Sequence, residues 1–189
     1  MREAADLLLA APARLGGVRL AAVDGPSGAG KTTRADELVS YLLDRGHQVG
    51  LVPADHFATW DDPVAWWPRL VTGVLAPLAA GRPGRYQRTA WTDGQPHLAD
   101  WVDVPVPEIL VLEGVSTGRK SVSDRLSGLF WVELANAADR LERAVARDGE
   151  MCRDPLRRWQ EFEVGWFAVD RTRQRADRIL VAEGHRKIG

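Results

Sequence analysis

The chain has 189 residues, 45% of them apolar, and a formal net charge of −1 from 25 Lys+Arg against 26 Asp+Glu. That length fits one domain burying about 70% of its unfolded surface, and the apolar content excludes wholesale disorder. A near-neutral balance argues against a dedicated nucleic-acid binder, and one cysteine, Cys152, can make neither an intramolecular disulfide nor a cysteine-built zinc site.

The apolar run over residues 7–11 is far shorter than the roughly 18–20 residues of a membrane span, and Glu3 and Asp6 stand where a signal peptide carries positive charge. It reads as a first helix ended by Gly16-Gly17, in a chain expected to be cytoplasmic with no membrane partner. Residues 18–23 form an apolar run between Gly17 and Gly25, which predicts a buried strand. Residues 32–45 place Leu38, Val39, Leu42 and Leu43 at helical spacing, with Gly46 as the stop. A second strand follows over 48–53. Asp62-Pro63 predicts an N-cap and a proline at the first helical position; that helix carries Trp66, Trp67, Leu70, Val71, Val74 and Leu75, with breaks near Pro68 and Pro77.

Asp93-Gly94 predicts a hairpin joining strands near 85–91 and 97–104. Residues 109–112, 129–134 and 178–182 are three further apolar strands, with helical patterns over 137–147 and 155–173 between the last two. In the second pattern Trp159, Phe162, Trp166 and Val169 make a stripe that predicts a core face. Strands alternating with helices predict a single α/β domain: a five-stranded parallel sheet with helices on both faces and an inserted antiparallel hairpin over about 81–105.

Gly25, Pro26, Ser27, Gly28, Ala29, Gly30, Lys31 and Thr32 match G-x-x-x-x-G-K-[ST] at every fixed position, after a predicted strand and before a predicted helix. Glycines let main-chain N–H groups turn inward around a phosphate, Lys31 supplies a point charge, and the Thr32 hydroxyl is a Mg²⁺ ligand. The residues therefore predict binding of a nucleoside triphosphate with Mg²⁺. Thr33 closes the nucleotide-contact set, although it also reads as helix surface. Asp24, closing the strand, reads as polar support for the loop rather than as a catalyst.

In open α/β sheets ligands bind beyond the carboxyl ends of the strands. Asp55 follows the second strand and Glu113 the third, so both carboxylates are expected in the crevice that also receives the phosphate loop. Arg140, Arg143 and Arg147 share a helix face and, with Arg153, Arg157 and Arg158, form a basic lid candidate over about 140–160. Most of these arginines are expected to pair with Glu142, Asp148, Glu150 and Asp154; Arg147, then Arg153 or Arg143, are the candidates to reach phosphate.

Taken in order, these residues resemble the uridine kinase family of P-loop kinases, and more closely its short bacterial branch. The resemblance runs over residues 18–181. It rests on the loop from Val23 to Thr33, the Asp55-His56-Phe57 turn, Trp60 to Ala65, the hairpin with Tyr86 and Trp91, Leu112 to Val115, Arg140 with Arg143, Arg147-Asp148, and Ala176 to Ile179. The resemblance implies ATP- or GTP-dependent phosphorylation of a nucleoside 5′-hydroxyl. Asp55 would match the base, Asp61 or Asp62 an acid that holds sugar hydroxyls, Glu113 a carboxylate near the metal, and Arg147 a lid arginine. Phe57, Trp66, Tyr86, Trp91 and His97 complete the acceptor candidates. Ala58 stands where the family has Tyr, and Thr89-Ala90-Trp91 replaces a Tyr-Asp-aromatic sequence, so the departures fall on the acceptor side.

Three alternatives stay open. A nucleoside monophosphate kinase needs an extra arginine site, which Arg82, Arg85 and Arg88 could supply, and a non-nucleoside alcohol could also be the acceptor. A regulatory NTPase would need no small acceptor at all. Of the eight tryptophans, Trp60, Trp66, Trp67 and Trp91 are expected around the acceptor pocket.

Overall fold

The computed structural model describes residues 1–181. Strands β1 (Arg19–Asp24), β2 (Val49–Pro53), β5 (Ile109–Glu113), β6 (Leu126–Glu133) and β7 (Arg178–Val181) form one sheet in the order β2-β5-β1-β6-β7, and every neighbouring pair is parallel. The expected fold is the observed one. Ala182, the last residue of the expected final strand, lies outside the described residues.

Alternation along each strand builds two cores. Leu20, Ala22, Leu110, Leu112 and Leu129 face one side, where they join Phe57, Trp66, Trp67, Leu70 and Leu75. Ala21, Val23, Ile109, Val111, Phe130 and Val132 face the other, against helix α1 (Arg2–Ala10) and helix α2 (Lys31–Leu43) through Ala4, Ala5, Leu8, Ala35, Leu38 and Leu42. A strand buried on both faces has no polar side to show, which is why the central strands β1, β5 and β6 read as apolar runs. Full burial of each Leu or Phe contributes about 1.5–3 kcal/mol. Helix α1 ends at Ala10, ahead of the expected Gly16-Gly17 stop.

The helix expected from Asp62-Pro63 starts four residues later. Asp62 Oδ1 accepts the Ala65 N–H at 2.6 Å and caps a turn instead, and α3 spans Trp67–Leu70. A π-helical turn, Val71–Leu75, separates α3 from α4 (Ala76–Ala79), the break expected near Pro77. Pro77 has no N–H to continue the ladder. The hairpin strands β3 (Gly84–Thr92) and β4 (Gln95–Val104) turn at Asp93 and Gly94, whose φ values of 50° and 71° are those of a type I′ turn.

Helix α5 (Ala137–Asp148) is capped by Asn136, whose side chain accepts the Ala138 N–H at 2.9 Å. Helix α6 (Arg153–Asp170) and the short α7 (Thr172–Arg175) lead into β7. The expected core stripe on α6 holds at Trp159, which packs on the first core, and at half-buried Trp166, and is corrected at Phe162, 41% exposed, and Val169, 84%; the fully buried positions are Leu156 and Glu163. The helix is rotated so that a carboxylate, not a phenyl ring, faces inward. Asp177 anchors the approach to β7, its side chain accepting the Leu129 N–H and its own N–H donating to Leu129 O, both at 2.8 Å.

Candidate active site

The loop over residues 25–30 leaves the central strand and runs directly into α2, with Lys31 its first helical residue. At Gly28 φ is +77°, and a Cβ there would collide with the Arg140 carbonyl of α5. Only glycine tolerates both the left-handed backbone and this approach. Ala29 is buried, Lys31 is 8% exposed with Nζ donating to Pro26 O at 3.2 Å, and Thr32 and Thr33 are exposed on the first turn of α2.

Asp24 is fully buried. Its Oδ1 accepts the N–H groups of Gly25 at 2.7 Å and Ser116 at 3.1 Å, and its Oδ2 accepts that of Gly118 at 2.8 Å. It thus ties the phosphate loop to the segment leaving β5. Burial pushes its carboxyl up to about 7, opposed by the three main-chain donors and Lys31.

Register brings the acidic pair together. Glu113 pairs with Val23 of β1 on one side and with Pro53 of β2 on the other, and Asp55 lies two residues past Pro53 in a 3₁₀ turn, Ala54–His56. Glu113 is 6% exposed, and burial pushes its carboxyl up to about 7. Lys31, the Thr32 hydroxyl and Arg147 favour its charged form, while the nearby Asp55 opposes it. Phosphate loop, Glu113, Asp55 and Arg147 are therefore one electrostatic cluster, although they come from four separate stretches of chain. Burial, then the positive charge of Arg88, holds the neighbouring His56 ring below the usual histidine range.

Of the lid arginines, Arg147 is bound by Asp148 at 2.6 and 2.7 Å and still acts on Asp55 and Glu113. Arg143 is half-buried on α5. Arg153 is turned into an ion-pair network with Glu142 and Glu150, and Arg157 pairs with Asp154. Arg153 thus shows the ion-paired arrangement expected of most of these arginines.

Three of the aromatic acceptor candidates are core residues. Phe57, Trp66 and Tyr86 are 1%, 2% and 4% exposed and pack on one another, with Phe57 5.5 Å from Trp66 and 4.6 Å from Tyr86. Trp66 donates to Pro63 O and Tyr86 meets His56 Nδ1 at 2.8 Å, so their polar atoms are satisfied internally. Trp67 is likewise buried. His97 sits exposed on β4 opposite Ala90. Trp91 lies edge-on to Trp60 at 4.9 Å, and Trp60 is edge-on to Trp159 at 5.7 Å. A cleft of about 380 Å³ opens between Trp60, Asp61 and Pro63 on one side and Pro155, Arg158, Trp159 and Phe162 of α6 on the other. A second, of about 300 Å³, runs under the hairpin tip and shares Trp60, Pro155 and Arg158. Asp61 is the one acidic acceptor candidate that lines a cleft.

Glu163 is absent from the sequence-based set. It is 2% exposed and accepts the Ser27 N–H at 2.9 and 3.2 Å as well as the Ser27 hydroxyl, while Gln160 Nε2 donates to Ser27 O at 3.3 Å. Burial pushes its carboxyl up, while Lys31, Ser27 and the Trp159 indole favour the charged form. The signal that could have found it is the spacing of Leu156, Trp159, Glu163 and Trp166, a buried face with one acid on it.

Compared by sequence, the chain matches no protein-family model and no curated protein. Compared by structure, it shares its fold with solved kinases. A protein assigned as a possible uridine kinase from Bacillus stearothermophilus superposes with a TM-score of 0.63 over 95% of this chain and 98% of that one, at 17% identity. One assigned as a fructose transport system kinase from Silicibacter sp. gives 0.54 over 87% and 90%, also at 17% identity. At 17% identity the likeness is one of fold: an α/β chain built on a five-stranded parallel sheet. Among the described residues no helix is long and apolar enough to cross a membrane.

Proposed function

We propose that the chain is a phosphotransferase that moves the γ-phosphoryl group of ATP or GTP to a hydroxyl of a small molecule, with a uridine- or cytidine-like nucleoside as the acceptor class. One observation carries this reading: Glu113, Asp55 and Arg147 converge on the loop bearing Lys31 and Thr32. Phosphoryl transfer needs a donor cradle, an acid for the metal shell, an orienter for the attacking hydroxyl and mobile positive charge, and the cluster contains one residue for each. Asp55, exposed at the crevice rim, would orient or deprotonate the acceptor hydroxyl. Lys31 would bind the β- and γ-phosphates, Arg147 would cover the transferring group, and Asp61 would hold acceptor hydroxyls across the cleft from Trp159.

Magnesium fits this donor set. The Thr32 hydroxyl is near enough to Glu113 to favour its charged form, and among the described residues no cluster of three His, Cys, Asp or Glu forms an all-protein cage. Mg²⁺ binds through one or two protein oxygens plus substrate phosphates, so Thr32 directly and Glu113 through water would hold it. When bound it would neutralise charge on the phosphate oxygens.

A second reading is favoured by Arg158, which lines both clefts and makes no ion pair among the described residues. It suits an acceptor that carries its own phosphate or carboxylate. Of the candidates Arg82, Arg85 and Arg88 for that role, Arg85 and Arg88 pair with Asp103 at 3.3 Å and Asp100 at 3.1 Å across the hairpin. The experiment is ADP release measured over nucleosides, nucleoside monophosphates and non-nucleoside alcohols, each against an acceptor-free control. Acceptor-dependent release supports the proposal. Fast hydrolysis indifferent to every acceptor would replace it with a regulatory NTPase.

A further inference from the structure

Glu163 reaches the phosphate loop from a helix 136 residues further along the chain. Buried carboxylates are normally paired with a cation, because desolvation otherwise drives them neutral. Glu163 makes no ion pair among the described residues: Lys31 is near enough to favour its charge, but Lys31 Nζ donates to Pro26 O. Its oxygens instead face the N–H and hydroxyl of Ser27, the third residue of a loop whose inward N–H groups are suited to phosphate oxygens. A carboxylate offers the same kind of acceptor as a phosphoryl group, at a similar spacing between oxygens. Gln160 holds the Ser27 carbonyl from the other side, so α6 grips this residue at both of its main-chain polar groups.

We infer that Glu163 is a built-in stand-in for the donor's terminal phosphate: it holds Ser27 until a γ-phosphoryl group takes that place, and its displacement frees α6 from the loop. The inference rests on the reading of residues 25–32 as a triphosphate site. Two anions cannot share one set of donors at contact distance in a poorly solvated site, so a bound γ-phosphate excludes the charged Glu163 side chain. AMP, which lacks the β- and γ-phosphates, leaves the contact intact. The consequence reaches the acceptor side, because α6 also supplies Arg158, Trp159 and Phe162 to the 380 Å³ cleft. The acceptor wall is then remodelled only when a transferable phosphoryl group is present.

The test is equilibrium titration of the full chain with ATP and AMP in magnesium buffer, for the wild type and Glu163→Gln. Glutamine keeps the shape and an acceptor for Ser27 but carries no charge. ATP should bind about tenfold more tightly to the variant while AMP stays within about twofold. A merely structural tie predicts the reverse, and unchanged or weaker ATP binding by a folded variant overturns the inference. Hydrogen exchange on the wild type is the second arm and needs no variant: ATP should speed exchange of the amides over residues 156–166, and AMP should not. Equal exchange with both nucleotides overturns it. If neither protein binds ATP at all, the triphosphate reading falls, and this inference with it.

Discussion

Asp24 Oδ2 accepts the main-chain N–H of Gly118 at 2.8 Å, so the carboxylate that closes β1 also holds the segment leaving β5. The same side chain takes the N–H groups of Gly25 and Ser116. Asp24→Asn keeps the volume but turns an NH₂ group toward main-chain donors. Its expected cost is about 2–4 kcal/mol, measured by urea unfolding. The titration has a sign. Because the folded carboxyl is raised from 3.8 to about 7, the folded chain keeps a proton that the unfolded chain has released between those values. Stability should therefore fall as pH rises through that window and level off above about pH 7, with a shallower slope in Asp24→Asn.

Glu113 is raised to about 7 by burial, so its charged form is lost as pH falls below that value. If ionised Glu113 holds metal-bound water, the apparent affinity for Mg²⁺ with ATP should weaken on acidification from about pH 8 to 6. Glu113→Gln should be weak throughout and lack that inflection. Titrations of Mg²⁺ at fixed ATP check both.

Asp55 is exposed just past the carboxyl end of β2, where the proposed acceptor would meet it. Asp55→Asn should lower turnover by about 10²–10⁴ while ATP affinity stays within a few-fold. Normal turnover would remove Asp55 from the proposed role.

Trp60 Nε1 donates to Gly94 O at 2.8 Å, which pins the hairpin tip beside α6. Trp60→Phe leaves that carbonyl without its donor. Unfolding should be easier by about 1 kcal/mol, and hydrogen exchange should quicken at the turn around residues 93–95 first.

The central strands β1, β5 and β6 were legible because each is buried on both faces and has no polar alternation to hide it. Ile109, Leu110, Val111 and Leu112 are all at most 1% exposed, and the run spells that out directly. The loop over 25–32 and the Asp93-Gly94 turn were legible for another reason. Their residue types are demanded by backbone geometry, positive φ at Gly28 and Gly94 included, which is local. The acidic pair was legible at one remove: strand ends converge in a parallel sheet, and the register then set Glu113 beside Pro53 and Val23.

What the sequence by itself determined, then, is the set of properties that a few neighbouring residues control: strand, turn, phosphate loop and the end of the sheet where the acids lie. Only the tertiary structure decided depth and facing. Phe57, Trp66 and Tyr86 stand near the site along the chain yet are sealed in the core, and the α6 face that turns inward carries Glu163 rather than Phe162 and Val169. Apolar periodicity ranks hydrophobic side chains and is silent about an acid whose partner, Ser27, lies 136 residues away. Burial and partner together set the charge of Asp24, Glu113 and Glu163, and both are properties of the assembled fold.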